Sequence, residues 1–148
     1  MRLALALTLA LTACASTGRS NVLQTDVGRA TRPDIEDKVP RILDQQGYEV
    51  LERRDTGNVI QYMTSWITRT PFEDEENRGA TECRTRLTLE AREQGNGFYT
   101  LTLKAENTMQ RSLDGQWVNL APTTMFRRHL RDVTEALALE VNMGVRTR

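Results

Sequence analysis

Cys83-Arg84-Thr85-Arg86-Leu87-Thr88-Leu89-Glu90-Ala91-Arg92, the turn Gln94-Gly95-Asn96-Gly97, and the stretch Phe98-Tyr99-Thr100-Leu101-Thr102-Leu103-Lys104-Ala105 decide how this chain folds. Cys83, Thr85, Leu87, Leu89 and Ala91 fall on one face of an extended chain, and Arg84, Arg86, Thr88, Glu90 and Arg92 on the other. That period of two is what a half-buried strand requires. The Gly-rich turn supplies residues that tolerate positive φ, after which Tyr99, Leu101, Leu103 and Ala105 resume the inward set. The pattern predicts an antiparallel hairpin folded about Gly95, with Leu89 opposite Leu101, Leu87 opposite Leu103, and Arg84 meeting Glu106 on the wet side.

Working outward, Thr31 and Pro33 announce a helix whose Ile35, Val39, Ile42 and Leu43 make one apolar stripe, stopped at Gly47. Pro40 removes a hydrogen bond inside it, so the helix is expected to kink there or to become regular only near Val39. Gly47 to Glu52 reads as a strand and Asp55-Thr56-Gly57-Asn58 as its turn. A second strand follows over residues 59–70, with Ile60, Tyr62 and Trp66 on one face and Val59, Met63 and Ile67 on the other, ended by Pro71. Downstream of the hairpin, a turn at Asp114-Gly115 leads to the short apolar piece Trp117-Val118. Pro122 with Thr123 or Thr124 then opens a last helix with Phe126, Leu130, Val133, Leu137 and Val141 facing inward and Gly144 as its cap. These elements predict a single α+β domain over residues 32–148. Its antiparallel sheet of about four strands is covered on one face by an N-terminal and a C-terminal helix, in the order α-β-β-β-β-α.

The 148 residues carry twenty basic and twenty acidic side chains, so no overall field favours nucleic acid. One histidine and two cysteines fall short of the roughly four N or S ligands of a chelating zinc site. No Gly-x-Ser-x-Gly, His-Glu-x-x-His or lysine-bearing serine motif is present. No metal, cofactor or catalytic residue is therefore expected, and the chain reads as a non-enzyme.

Its beginning is more specific. Met1 and Arg2 give a short positive start, and Leu3 to Leu11 is an unbroken apolar run of nine residues. At about 1.5 Å per helical residue the run spans roughly half of a ~30 Å hydrocarbon layer, which suits a leader and not a transmembrane helix. Leu11-Thr12-Ala13-Cys14 comes directly after it and resembles the lipobox of bacterial lipoprotein precursors. That resemblance implies removal of residues 1–13 as a signal peptide, a diacylglycerol on the Cys14 sulfur, and frequent acylation of the new amino group by a fatty acid such as palmitate. Two or more acyl chains, at about 0.8 kcal/mol per buried methylene, hold a protein to a bilayer stably. Ala15, where the inner-membrane retention signal of enteric bacteria commonly has Asp, implies sorting to the outer membrane, with the domain facing the periplasm. Residues 14–31 are expected to be the lipidated terminus and a flexible tether with a root-mean-square reach of roughly 20–25 Å.

Several side chains invite a functional reading beside a structural one. Cys83 lies in the inward set and is expected to be an inert core thiol. His129 sits in Arg127-Arg128-His129-Leu130-Arg131 and is expected to be solvated. Arg127, Arg128 and Arg131 suit lipid phosphate, lipopolysaccharide or an acidic partner, or else make a wet helix face. The run Glu73-Asp74-Glu75-Glu76 lacks the alternating ligands of a calcium loop and is expected to be a solvated polar loop extending to Gly79. Trp117, and less so Trp66, are candidates for a partner-contact groove.

The helix running into Gly47-Tyr48-Glu49-Val50, followed by Arg54-Asp55-Thr56-Gly57-Asn58-Val59-Ile60, is similar to the helix-grip domains of outer-membrane lipoproteins, such as the BamC-like accessory lipoproteins of the barrel-assembly machinery. The lipopolysaccharide-assembly lipoproteins have a similar count of helices and strands. Both resemblances imply a lipid-anchored adaptor with an envelope-protein partner. The other reading is a small-ligand or lipid carrier, or an enzyme, using a pocket between helices and sheet.

Overall fold

The computed structural model of the protein describes residues 22–112 and 115–146. The elements run β1 (Val22–Thr31), α1 (Arg32–Gln45), β2 (Val50–Asp55), β3 (Val59–Thr64), β4 (Ile67–Arg69), α2 (Glu73–Glu76), β5 (Glu82–Gly95), β6 (Phe98–Gln110), β7 (Val118–Asn119) and α3 (Thr124–Arg146). The sheet has seven strands, with β1-β6-β5-β3-β2 as its main path, β4 paired to β5 and β7 paired to β6. Every pairing is antiparallel. This corrects the expected α-β-β-β-β-α plan of about four strands and two covering helices: the described residues form seven strands and three helices.

The β5–β6 hairpin forms where its alternation places it, but two residues out of the expected register. Leu89 pairs with Leu103 and Leu87 with Ala105, and it is Arg86, not Arg84, that meets Glu106. The turn decides this. Asn96 and Gly97 both have positive φ, at 57° and 76°, as a two-residue hairpin loop requires, so the fold centres on that pair and not on Gly95. A slip of two leaves every side chain on its expected face. Leu87, Leu89, Ala91, Leu101, Leu103 and Ala105 all point into the main core.

Helices α1 and α3 cover that same face. Ile35, Val39, Ile42 and Leu43 of α1, and Phe126, Leu130, Val133, Leu137 and Val141 of α3, are buried as their spacing predicts. Pro40 does not divide α1, which runs unbroken from Arg32 to Gln45. Its missing amide leaves only the carbonyl of Glu36 without the usual i−4 donor. Gly144, expected to cap the last helix, lies within α3.

Three departures share a cause, namely pairing that local alternation does not reveal. Residues 22–31, expected in the flexible tether, are the edge strand β1. A bulge at Val27 interrupts the alternation of β1, so that Val27 and then Ala30 are buried, at 3% and 0% exposure. The strand expected over residues 59–70 is broken after Thr64. Met63 pairs with Thr88 but Ile67 pairs with Thr85, so one extra residue is accommodated between β3 and β4. The buried Thr64 Oγ1 there accepts the Leu87 amide at 3.0 Å, standing in for a lost ladder bond. Residues 73–76, read as loop, form α2.

Strand β1 can approach α3 only because residue 28 is glycine. Its φ is +126°, and a Cβ there would lie 2.7 Å from Asn142 Oδ1, the atom that accepts the Arg29 amide at 3.3 Å. Gly28→Ala is therefore expected to destabilise the protein by about 1–3 kcal/mol in urea unfolding. Gly47→Ala, whose Cβ would meet nothing within 4 Å, should cost clearly less.

Candidate functional site

The side chains singled out from sequence fall in two places. Arg127 and Arg131 share the flank of α3 that faces β1, and with Leu23, Thr25, Asp26 and Glu135 they line a groove of about 490 Å³. Arg128 is exposed and lies outside that lining. Trp117 is on the opposite side of the molecule, on the sheet face that no helix covers, because it stacks on Arg84 of the outward set. The four candidates therefore do not form one site.

Around Trp117 the outer face is built as an aromatic and guanidinium ladder. The Arg84 guanidinium carbon is 4.5 Å from the Trp66 ring centroid and 4.4 Å from that of Trp117. The guanidinium carbon of Arg86, two residues along β5, lies 4.6 Å from the same Trp66 ring centroid. Thr108 Oγ1 accepts from Arg84 Nε at 3.1 Å, and Arg86 pairs with Glu106 at 2.6 Å. Trp66 reaches this face because of the β3–β4 break. Simple alternation sets it with Ile60 and Tyr62, but the extra residue passes the inward position to Ile67 and turns Trp66 outward. Stacked cations of this kind are worth about 0.5–1 kcal/mol each where exposed, and they hold flat indole surfaces half out of water. Tryptophan and arginine so arranged are the residue types that dominate binding hot spots.

A second polar constellation lies under the helices at one end of the sheet. Glu75, expected to be solvated, has no exposed side-chain surface. Arg69 grips both its oxygens, Nη1 to Oε2 at 2.7 Å and Nη2 to Oε1 at 2.8 Å. The Asn107 amide donates to Oε1 at 2.7 Å and the Phe72 backbone to Oε2 at 2.9 Å. Arg69 also donates from Nε to Thr85 and stacks on Phe72 at 4.2 Å. Next to Glu75, Asp74 Oδ2 accepts the Met125 amide at 2.9 Å and so caps the first turn of α3. The acidic run is thus a structural clip. Its partners lie 6, 32 and 51 positions away, where no local signal points.

The electrostatics of this clip follow from burial and pairing. Burial pushes the Glu75 carboxyl up, but the hydrogen bonds from Arg69, Phe72 and Asn107, with the Arg69 charge, outweigh it and hold the group below its ordinary value. His129 is half-buried, not solvated as expected. Its Nε2 is 3.0 Å from Tyr48 Oη and its ring is 5.8 Å from that of Phe72. Burial and then the Arg69 charge lower its pKa, so the imidazole is neutral at pH 7. Burial and then Glu75 push the Cys83 thiol up to about 12, leaving it protonated and a poor nucleophile. The clip's acceptors are largely engaged by its own donors, which suits positioning of α2 and α3.

No group of three His, Cys, Asp or Glu side chains among the described residues could hold a metal ion. No helix among them is long and apolar enough to cross a membrane. Cys14 and residues 1–13, expected to be a signal peptide, lie outside the described residues. The Asp114 turn residue does so too. No protein-family model and no curated protein sequence matches the chain.

Removing one partner of the clip should cost far more than removing both. Glu75→Gln leaves Arg69 without its counter-charge and is expected to lower stability by about 3 kcal/mol, whereas Arg69→Met with Glu75→Leu should cost clearly less than either single change. Because the folded pKa of Glu75 is depressed below 4.5, its contribution is fully present above 4.5 and is lost as pH falls through the folded value. The depressed His129 acts in the same direction, with stability lost as pH falls through its folded pKa, below 6.5. Urea titrations below pH 5 should therefore show a shallower acid loss in Glu75→Gln than in the unmodified protein.

Proposed function

We propose that the mature protein is a lipid-anchored envelope lipoprotein acting as a non-enzymatic adaptor or accessory subunit in outer-membrane assembly or maintenance. Leu11-Thr12-Ala13-Cys14 supports the anchor: cleavage before Cys14 and diacylation of its sulfur tether the domain to the outer membrane, facing the periplasm. The tether is shorter than its composition implies. With β1 starting at Val22, only residues 15–21 lie between the lipid and the fold. The domain is held close to the bilayer.

The adaptor role rests on the outer ladder of Trp66, Arg84 and Trp117, a partly buried platform on the sheet face left free by the helices. Partly exposed tryptophan and arginine side chains are the residue types enriched at interface cores and hot spots, which supports that reading. A carrier of small ligands between helices and sheet is less favoured. Ile35, Leu43, Leu87, Leu101, Phe126 and Leu137 fill that space with no exposed surface.

Cys14→Ser tests the anchor: lipid labelling and membrane fractionation should both be lost while the urea midpoint stays unchanged, and unchanged retention would refute it. Arg84→Ala with Trp117→Ala tests the platform. The doubly substituted protein should remain folded and membrane-bound but lose about tenfold in crosslinking yield to its envelope companion, a loss of about 1.4 kcal/mol in affinity. Undiminished crosslinking would remove the ladder from the interface.

A further inference from the structure

We infer that Arg84 holds a side-chain carboxylate of a protein partner, an acidic residue flanked by apolar ones, on the outer face of the sheet. The inference rests on the adaptor reading of the Trp-Arg platform and names the chemistry of what docks there. Strand register sets the frame. Thr68 of β4 lies opposite Arg84 of β5, Arg84 opposite Thr108 of β6, and Thr108 opposite Asn119 of β7. One cation therefore sits in a row of otherwise neutral side chains.

The other outward cations of β5 and β6 are already paired. Arg86 meets Glu106 at 2.6 Å, and Arg92 and Lys104 meet Glu90 at 2.9 and 3.0 Å. Among the described residues Arg84 makes no ion pair, and Glu82, the next outward residue of β5, makes none either. The Arg84 guanidinium is nevertheless held in place. Its central carbon lies 4.5 and 4.4 Å from two indole centroids, and its Nε donates to Thr108 Oγ1 at 3.1 Å. Thr108 is buried, which steadies that acceptor. Neither Nη1 nor Nη2 has an acceptor among the described residues. These two nitrogens form the fork that takes both oxygens of a carboxylate in parallel hydrogen bonds. Because the fork is positioned in advance, binding costs little side-chain entropy.

Whatever covers the indoles must answer this charge. A partner laying apolar side chains on Trp66 and Trp117 strips water from the guanidinium between them, and a desolvated cation without a counter-charge is costly. A carboxylate from the same partner restores the pairing at the centre of the contact. One unmatched positive charge fits one carboxylate. A phosphate group carries about 1.5–2 negative charges, and the adjacent cations that would share them are committed to Glu106 and Glu90.

Trp66 and Trp117 are the two tryptophans of the chain, so tryptophan fluorescence reads this site directly. The full chain in detergent micelles is titrated with the synthetic peptide N-acetyl-Leu-Glu-Leu-amide, with its Leu-Gln-Leu counterpart, and with inorganic phosphate. The glutamyl peptide is expected to give a saturable change, and the glutaminyl peptide to bind about tenfold more weakly. Arg84→Gln should abolish that preference. Arg84→Lys, which keeps the charge without the fork, should retain part of it, and urea midpoints check that both variants fold. Equal binding of the two peptides, no response, or a response to phosphate as strong as to the glutamyl peptide overturns the proposal. The adaptor reading survives that result if crosslinking to the companion still depends on the ladder. A glutamyl preference together with undiminished crosslinking in Arg84→Ala with Trp117→Ala supports the carboxylate site and brings down the adaptor reading alone.

Discussion

The bidentate contact of Arg69 with Glu75 organises one end of this molecule. Arg69 ends β4, and Glu75 belongs to a helix of only four residues that could not persist alone. Their ion pair draws α2 down onto the sheet, and the neighbouring Asp74 then caps α3 through the Met125 amide. The position of α3 over the sheet thus depends on a charge pair at its first turn, and the Gly28–Asn142 contact secures the same helix near its other end. A buried ion pair is not a large net source of stability, because desolvation offsets most of its attraction. Its effect here is positional, since four donors on three other segments must converge for the Glu75 carboxylate to be buried at all.

The break between β3 and β4 links that clip to the outer face. One extra residue there sends Ile67 and Arg69 inward and Trp66 outward. The inward arginine finds Glu75, and the outward indole finds Arg84 and Arg86. A single irregularity in strand pairing therefore links the buried polar cluster to the outward-facing, partly buried aromatic platform. The two features lie apart: the groove is bounded by β1 and α3, while the Trp-Arg platform lies across the sheet from the helices.

Much of the core was legible because its signals are local. The inward residues of β5 and β6, the stripe of α1 and the stripe of α3 follow from periods of 2 and 3.6, and all of them are buried as that spacing requires. The candidate site was legible only in pieces. Arg127, Arg131 and Trp117 could be named from residue type, but not their separation onto opposite sides of the sheet. Glu75 and Asp74 looked like solvent-exposed acids because the residues that bond to Glu75 and to Asp74 Oδ2 are brought near only by folding. His129 looked wet for the same reason, as its partner Tyr48 is 81 positions away.

Side-chain periodicity by itself determined which residues turn inward, and the order of residue types around Cys14 determined the expectation of an anchor. Strand count, hairpin register and the pairing of residues 22–31 were decided by tertiary structure. An edge strand such as β1 is held by backbone bonds to β6, and these have no side-chain signature. A bulge shifts register without changing composition, and a buried charge is tolerable only where distant donors meet it. Periodicity reports which way a side chain faces. What it faces depends on parts of the chain that only the folded backbone brings together.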